Sequence, residues 1–218
     1  MSNLIIVEGK TDKPFVELLA SHLQIAVNIG APICNVDDYE CLNGLENLEK
    51  SLVDLKTKIA SKNISKVGIM IDADEEGVPS RVKLINEKLK TICSDVVFEK
   101  VNEPKYSEEL AVTFVCYIVH VGGTGELETL LKLIKSRDSV YADCLESWRE
   151  CLNKKEKNIT DKKFRKIWLY LYDKYDTEKE KDIWNFDHEA LDGIKEFLRL
   201  LSSKEEVEYL SKHKESFL

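Results

Sequence analysis

Three apolar runs, NLIIV (3–7), KVGIMI (66–71) and TFVCYIVHV (113–121), are continuous rather than alternating, and each is followed within a few residues by acid. A strand with one wet face alternates apolar and polar side chains, whereas an unbroken run has to be covered on both faces, as in a parallel sheet. The segments between them carry helical spacing: Phe15, Leu18, Leu19 and Leu23; then Leu45, Leu48, Leu52, Leu55 and Ile59; then Val82, Leu84, Ile85, Leu89 and Ile92 over 80–92. Alternating strands and helices predict an α/β fold, a mainly parallel sheet flanked by helices and joined by right-handed crossovers. Further strands are expected at 33–36 and 95–98, and the polar segment 99–110, with Pro104, reads as a loop. After about residue 126 the pattern becomes helix after helix, over 126–136, 139–152, 161–175, 188–201 and 203–213. The expected organisation is an α/β domain over 1–135 with a helical extension over 136–218 packed on it.

Composition narrows the class. With 218 residues, 43% hydrophobic and 33% charged, the chain suits a folded globular protein. The apolar run at the N-terminus breaks at Glu8, too early for a signal segment, and no run is long enough to span a bilayer, so no membrane partner is expected. Six cysteines (34, 41, 93, 116, 144 and 151) form no C-x-x-C pair. They read as reduced, mostly packing thiols of a cytoplasmic protein rather than zinc ligands. The formal charge of −8 disfavours nucleic-acid binding over the whole surface, though not at a local basic patch or a metal site.

Acid gathers at three strand ends. The first run leads into VEGKTD, with Glu8 and Asp12; KVGIMI leads into DADEEG, with Asp72 and Asp74; and the run ending at Val121 leads through GGTG to Glu126 and Glu128. In open parallel sheets, functional groups collect outside the carboxyl ends of the strands. Carboxylates brought together there repel and would protonate unless a cation compensates. Hard oxygen donors with room for water suit Mg²⁺ or Mn²⁺. Singly, each piece also fits a local role: a strand-to-helix turn at Glu8, a solvated turn after Asp74, and an N-cap at Thr124. The glycines at 122, 123 and 125 read as a tight turn that brings Glu126 toward the other acids, since the Lys-Ser/Thr of a phosphate-binding loop is missing. Glu75 and Glu76 read as bystanders in the turn.

The pairing of VEGKTD with IDADEEG, and Arg81 just inside the next helix, resembles the Toprim domain. VEGKTD is especially similar in wording to the versions in the OLD-family nucleases and the small ribosomal-RNA maturases. The resemblance spans about residues 3–135 and implies a Rossmann-like fold. It implies catalytic roles for Glu8, Asp72 and Asp74, Glu8 as general acid/base or ligand, and a metal set of Glu8, Asp12, Asp72, Asp74 and Glu126. Thr124-Gly125-Glu126 is similar to a later element of the OLD-like enzymes, and Lys162 or Lys163 to their additional lysine. Lys10 and Arg81 join those two lysines as expected substrate-binding cations. KFRKIWLYLYDKYD and IWNFDHEALDGIKEFLRLL are similar to a family of small stand-alone Toprim-like proteins. The chain has no zinc ribbon, helicase or strand-passage region, which argues against primase or topoisomerase activity.

The resemblance therefore implies a Mg²⁺-dependent nuclease acting on DNA or RNA. The alternative is a conditional or non-catalytic subunit working with a separate ATPase, because OLD proteins carry a fused ATPase that this sequence lacks. Asp-x-Asp also occurs in glycosyltransferases and haloacid-dehalogenase phosphatases. The first leaves VEGKTD unexplained, and the second wants a Thr where Glu75 and Glu76 stand. Residues 153–166 hold seven basic residues against two acids and form the best candidate for phosphate contacts. The aromatics Phe164, Trp168, Tyr172 and Tyr175 follow helical spacing and read as core. His120 and His188 read as packed or capping residues.

Overall fold

The apolar runs become strands β1 (Ser2–Val7), β2 (Ile64–Asp72) and β4 (Val112–Val119), with a short strand β3 (Lys105–Ser107) between the last two in sequence. The helices are α1 (Asp12–His22), α2 (Glu46–Lys62), α3 (Gly77–Leu89), α4 (Leu127–Leu133), α5 (Leu145–Asn153), α6 (Asp161–Leu171) and α7 (Asp192–Leu201). A 3-10 turn at Glu189–Leu191 precedes α7. The structure is a computed structural model and describes residues 2–9, 11–30, 46–135, 142–172 and 184–202. The strand expected at 33–36, the helix expected at 203–213, Cys34, Cys41, Tyr175 and Lys10 lie outside these residues.

The sheet order is β1-β2-β4-β3, with β1, β2 and β4 parallel and β3 antiparallel on the edge of β4. This is the α/β, mainly parallel, Rossmann-like architecture that the unbroken runs require. Side-chain alternation then divides each run between two cores. Ile6, Val67, Ile69, Ile71, Phe114 and Cys116 face α2 and α3. Ile5, Val7, Met70, Val115, Tyr117 and Val119 face the other way, toward α1, α4 and α7.

Helix α7 closes that second face at short range. A Cβ on Gly68 of β2 would stand 2.4 Å from Leu201 Cδ1 and 2.7 Å from Phe197 Cζ, so only glycine lets the helix lie there. A Cβ on Gly193 would stand 2.9 Å from the Tyr117 ring. Polar ties fasten the end of the helix: Lys66 Nζ donates to the carbonyls of Leu200 (2.8 Å) and Ser202 (2.6 Å), and Asn3 Nδ2 donates to that of Leu201 (3.2 Å).

Two local expectations fail, one because a side chain captures backbone groups and the other because an edge strand pairs with β4. Residues 95–98 form no strand, because Asn86 brackets Phe98, accepting from its N–H (2.8 Å) and donating to its carbonyl (2.9 Å). Asp95 accepts from the N–H groups of Glu108 and Glu109 and from the Ser107 hydroxyl, which fixes the turn after β3. The supposed loop 99–110 in turn contains β3, whose register sets Lys105 opposite Phe114 and Ser107 opposite Val112. The aromatic stripe of α6 is core, with Phe164, Trp168 and Tyr172 all buried. Of the described cysteines, Cys93 and Cys116 are buried packing thiols, whereas Cys144 and Cys151 are exposed. No helix among the described residues is long and apolar enough to cross a membrane.

Candidate metal centre

The three acid-bearing turns meet at the carboxyl edge of the sheet because their backbones bond to one another. Ala73 extends the β2–β4 ladder by one residue, its N–H donating to the Val119 carbonyl (2.9 Å). Asp74 then exchanges two hydrogen bonds with Gly125, each 2.8 Å long. Both residues have positive φ, +48° at Asp74 and +98° at Gly125, a region that Asp tolerates better than most residues and Gly enters freely. The IDADEEG and GGTGELE turns are thus one stitched unit. From the other side, Glu8 Oε2 accepts the Asp72 N–H at 3.0 Å, tying the end of β1 to the end of β2.

Asp72, Glu126 and Glu128 come together there: one carboxylate oxygen from each lies within 4.8 Å of the others. Glu126 and Glu128 are buried, and Asp72 is half-buried. Asp72 Oδ1 also accepts the N–H of Leu127, at 3.1 Å, so it caps the start of α4. Asp12 is buried beside them, with Oδ2 accepting the Gly9 N–H at 2.6 Å.

The electrostatics match this crowding. Burial, with the charges of Glu8 and Glu128 added, pushes the Asp12 carboxyl up to about 7. Burial pushes Asp72 well above the usual carboxylate range, helped by the charges of Asp12, Glu8, Glu128 and Asp74. Two cations offset part of the charge. Arg165 reaches Glu126 Oε1 through Nε (3.0 Å) and a terminal nitrogen (2.9 Å). Arg81, buried at 8% exposure, donates to Asp74 (2.6 Å), Glu76 (2.9 Å) and the Ala73 carbonyl (3.4 Å).

Of the expected ligands, Glu8, Asp12, Asp72 and Glu126 thus belong to one neighbourhood, while Asp74 turns to Arg81. Lys163 is exposed in the first turn of α6, where its N–H donates to Thr160. Lys162 lies in the same turn.

Glu128, expected at this edge but outside the ligand set, takes part, and two further partners, Arg165 and Glu76, carry no such signal. Glu128 joins the triad because Glu126 is not helical: its extended backbone (φ −136°, ψ 172°) precedes α4, so the two side chains do not diverge as helical i, i+2 neighbours would. The helix expected from residue 126 hides this. Glu126, not Thr124, occupies the N-cap, and the Thr124 carbonyl instead accepts the Val121 N–H. Arg165, from the 153–166 basic run, reaches Glu126, which no local signal marks. Glu76 is no bystander in the turn: it pairs with Arg81. His120 and His188 do act as local caps, accepting from Gly123 (3.2 Å) and Ala190 (3.0 Å).

The donor set consists of carboxylate oxygens alone, without sulfur or imidazole, and so could hold a hard cation. Asp72, Glu126 and Glu128 would hold it, with Glu8 and Asp12 flanking.

No curated protein and no solved structure matches the chain. A protein family does, described as a protein of unknown function (DUF3226), over residues 2–203, and the chain belongs to that family.

Proposed function

We propose that the protein is a divalent-cation-dependent phosphodiester hydrolase acting on nucleic acid, with its site at the carboxyl edge of the sheet. The observation that carries this reading is the convergence of Asp72, Glu126 and Glu128 within 4.8 Å, flanked by Glu8 and by Asp12, whose carboxyl is pushed up to about 7. Such crowding is costly without a cation, and a bound Mg²⁺ or Mn²⁺ would polarise phosphate oxygens and offset the charge that builds during phosphodiester cleavage. Glu8 orients the site by holding the backbone of Asp72. Arg81 keeps the Asp-x-Asp turn in shape through Asp74 and Glu76. Arg165, Lys163 and Lys166 of α6 supply the positive side on which a phosphate would rest. The likeness of VEGKTD and IDADEEG to Toprim nucleases points the same way.

The test is cleavage of a mixed panel of labelled DNA and RNA by purified protein with Mg²⁺ or Mn²⁺. Cleavage that chelation stops and that Asp72→Asn abolishes is the expected result. Equal cleavage by the variant would trace the activity to a contaminant and sink the reading.

A further inference from the structure

Beside the acidic triad lies a groove of about 360 Å³, walled by α1, α4, α6 and Trp184. Each helix brings its polar residue first and its apolar ones after. Thr11 precedes Phe15 and Leu18; Glu128 precedes Leu131; and Lys166 precedes Leu169 and Tyr170. Glu128 belongs to both the groove and the triad, and Thr11 adjoins Asp12, so the polar end of the groove opens on the candidate metal centre. Away from that end the walls are apolar and aromatic. Tyr170 stands 62% exposed and Leu18 43% exposed, so both are within reach of a ligand from solvent.

We infer that this groove receives one unpaired nucleotide of a single-stranded nucleic acid, its base against Tyr170 and Trp184 and its phosphate between Lys166 and the cation. The inference rests on the hydrolase reading and adds the form of the substrate. Size supports it, since the volume lies near the lower end of the small-ligand range, roughly 300–1,000 Å³. It has room for a base and sugar but none for the width of a duplex. The chemistry supports it as well. Single-strand sites combine a cation that follows the backbone with exposed aromatic faces that stack bases without sequence preference. Here Lys166 and the basic run at 153–166 provide the first, on a protein whose net charge is −8. Tyr170 provides the second. Continuity at Glu128 sets the nucleotide's phosphate next to the acids, where a bond would be cut.

The experiment uses the full chain and a short DNA oligonucleotide carrying terminal 2-aminopurine, with Ca²⁺ in place of Mg²⁺ to hold back cleavage. An RNA strand and a blunt duplex of the same sequence run in parallel. Mn²⁺ binding is followed separately by calorimetry. The single strands should bind with quenching of the 2-aminopurine and the duplex far more weakly. Tyr170→Ala, at an exposed position, should weaken single-strand binding by about tenfold and leave Mn²⁺ affinity unchanged. Lys166→Gln should weaken binding and make it less sensitive to salt. Equal binding of strand and duplex, or full affinity in Tyr170→Ala, overturns the inference. A change of oligomeric state in Tyr170→Ala without loss of oligonucleotide binding also overturns it, by assigning the groove to a second copy of the chain. Tyr170-dependent strand binding without Mn²⁺ binding would keep the groove and overturn the metal reading alone; loss of both would overturn both.

Discussion

Glu8 accepts the backbone N–H of Asp72 at 3.0 Å, a bond between residues 64 positions apart that joins the ends of two parallel strands. Through it, the side chain of one acidic motif sets the backbone of the other. Glu8→Gln keeps an acceptor for that N–H, whereas Glu8→Ala leaves it without one. Both variants take one charge from the crowded acids, so their difference isolates the bond: Glu8→Ala should be less stable than Glu8→Gln by roughly 1–3 kcal/mol, read from urea denaturation of the metal-free protein.

Asp72→Asn should move metal affinity and stability in opposite directions. The amide oxygen still accepts the Leu127 N–H, so the cap on α4 survives. One charge leaves a crowded group, which should raise the melting temperature of the metal-free protein, by about 2–4 °C for each kcal/mol relieved. Mn²⁺ affinity should fall at least tenfold. Calorimetry and a thermal melt on the same preparation check both signs.

Asp12 titrates near 7 in the fold against 3.8 as an ordinary carboxyl. Between those values the native state holds a proton that the unfolded chain has lost, so protonation favours the fold. Stability of the metal-free protein should therefore fall as pH rises from about 4 to about 7, by on the order of 4 kcal/mol from this group. Asp72, raised well above its ordinary value, acts in the same direction. Saturating Mn²⁺ takes over the proton's role and should flatten the curve. Melts across that range with and without the ion decide it.

Arg165→Gln removes the cation on Glu126. The buried carboxylate loses its partner, and the metal-free protein should lose roughly 1–3 kcal/mol. Mn²⁺ should meet less competing positive charge and bind several-fold tighter. The contrast with Asp72→Asn, weaker binding and greater stability, is read with the same two assays.

Arg81→Lys should not replace Arg81. The guanidinium serves Asp74, Glu76 and a carbonyl at once, and an ammonium cannot hold that planar fork. Glu76 is 57% exposed on its side chain, so its pair adds little, and most of the loss comes from Asp74. About 1–2 kcal/mol of destabilisation is expected, visible in urea midpoints.

What was legible in the chain is what is local or periodic. Unbroken runs told that the strands are covered twice, and three acidic turns told where the edge would be. The strand at 95–98 misled because Asn86, nine residues before it, satisfies Phe98 in place of a neighbouring strand. The pair of hydrogen bonds between Asp74 and Gly125 is a meeting of two turns from different parts of the chain, and no spacing rule marks it. Arg165 reaches Glu126 only because α6 lies against α4, a packing event outside the reach of patterns read along the chain.

The close seating of α7 over Gly68 has a consequence for the order of assembly. During synthesis, β1 and β2 emerge more than a hundred residues before the helix that covers Met70 and Tyr117, and Asn3 waits 198 positions for Leu201. Contacts this distant in sequence slow folding, because a long loop must close before they form. An emerging chain leaves the part of this face that α7 covers open until the helix arrives. Crosslinking of a chaperone to the nascent chain should map to that face.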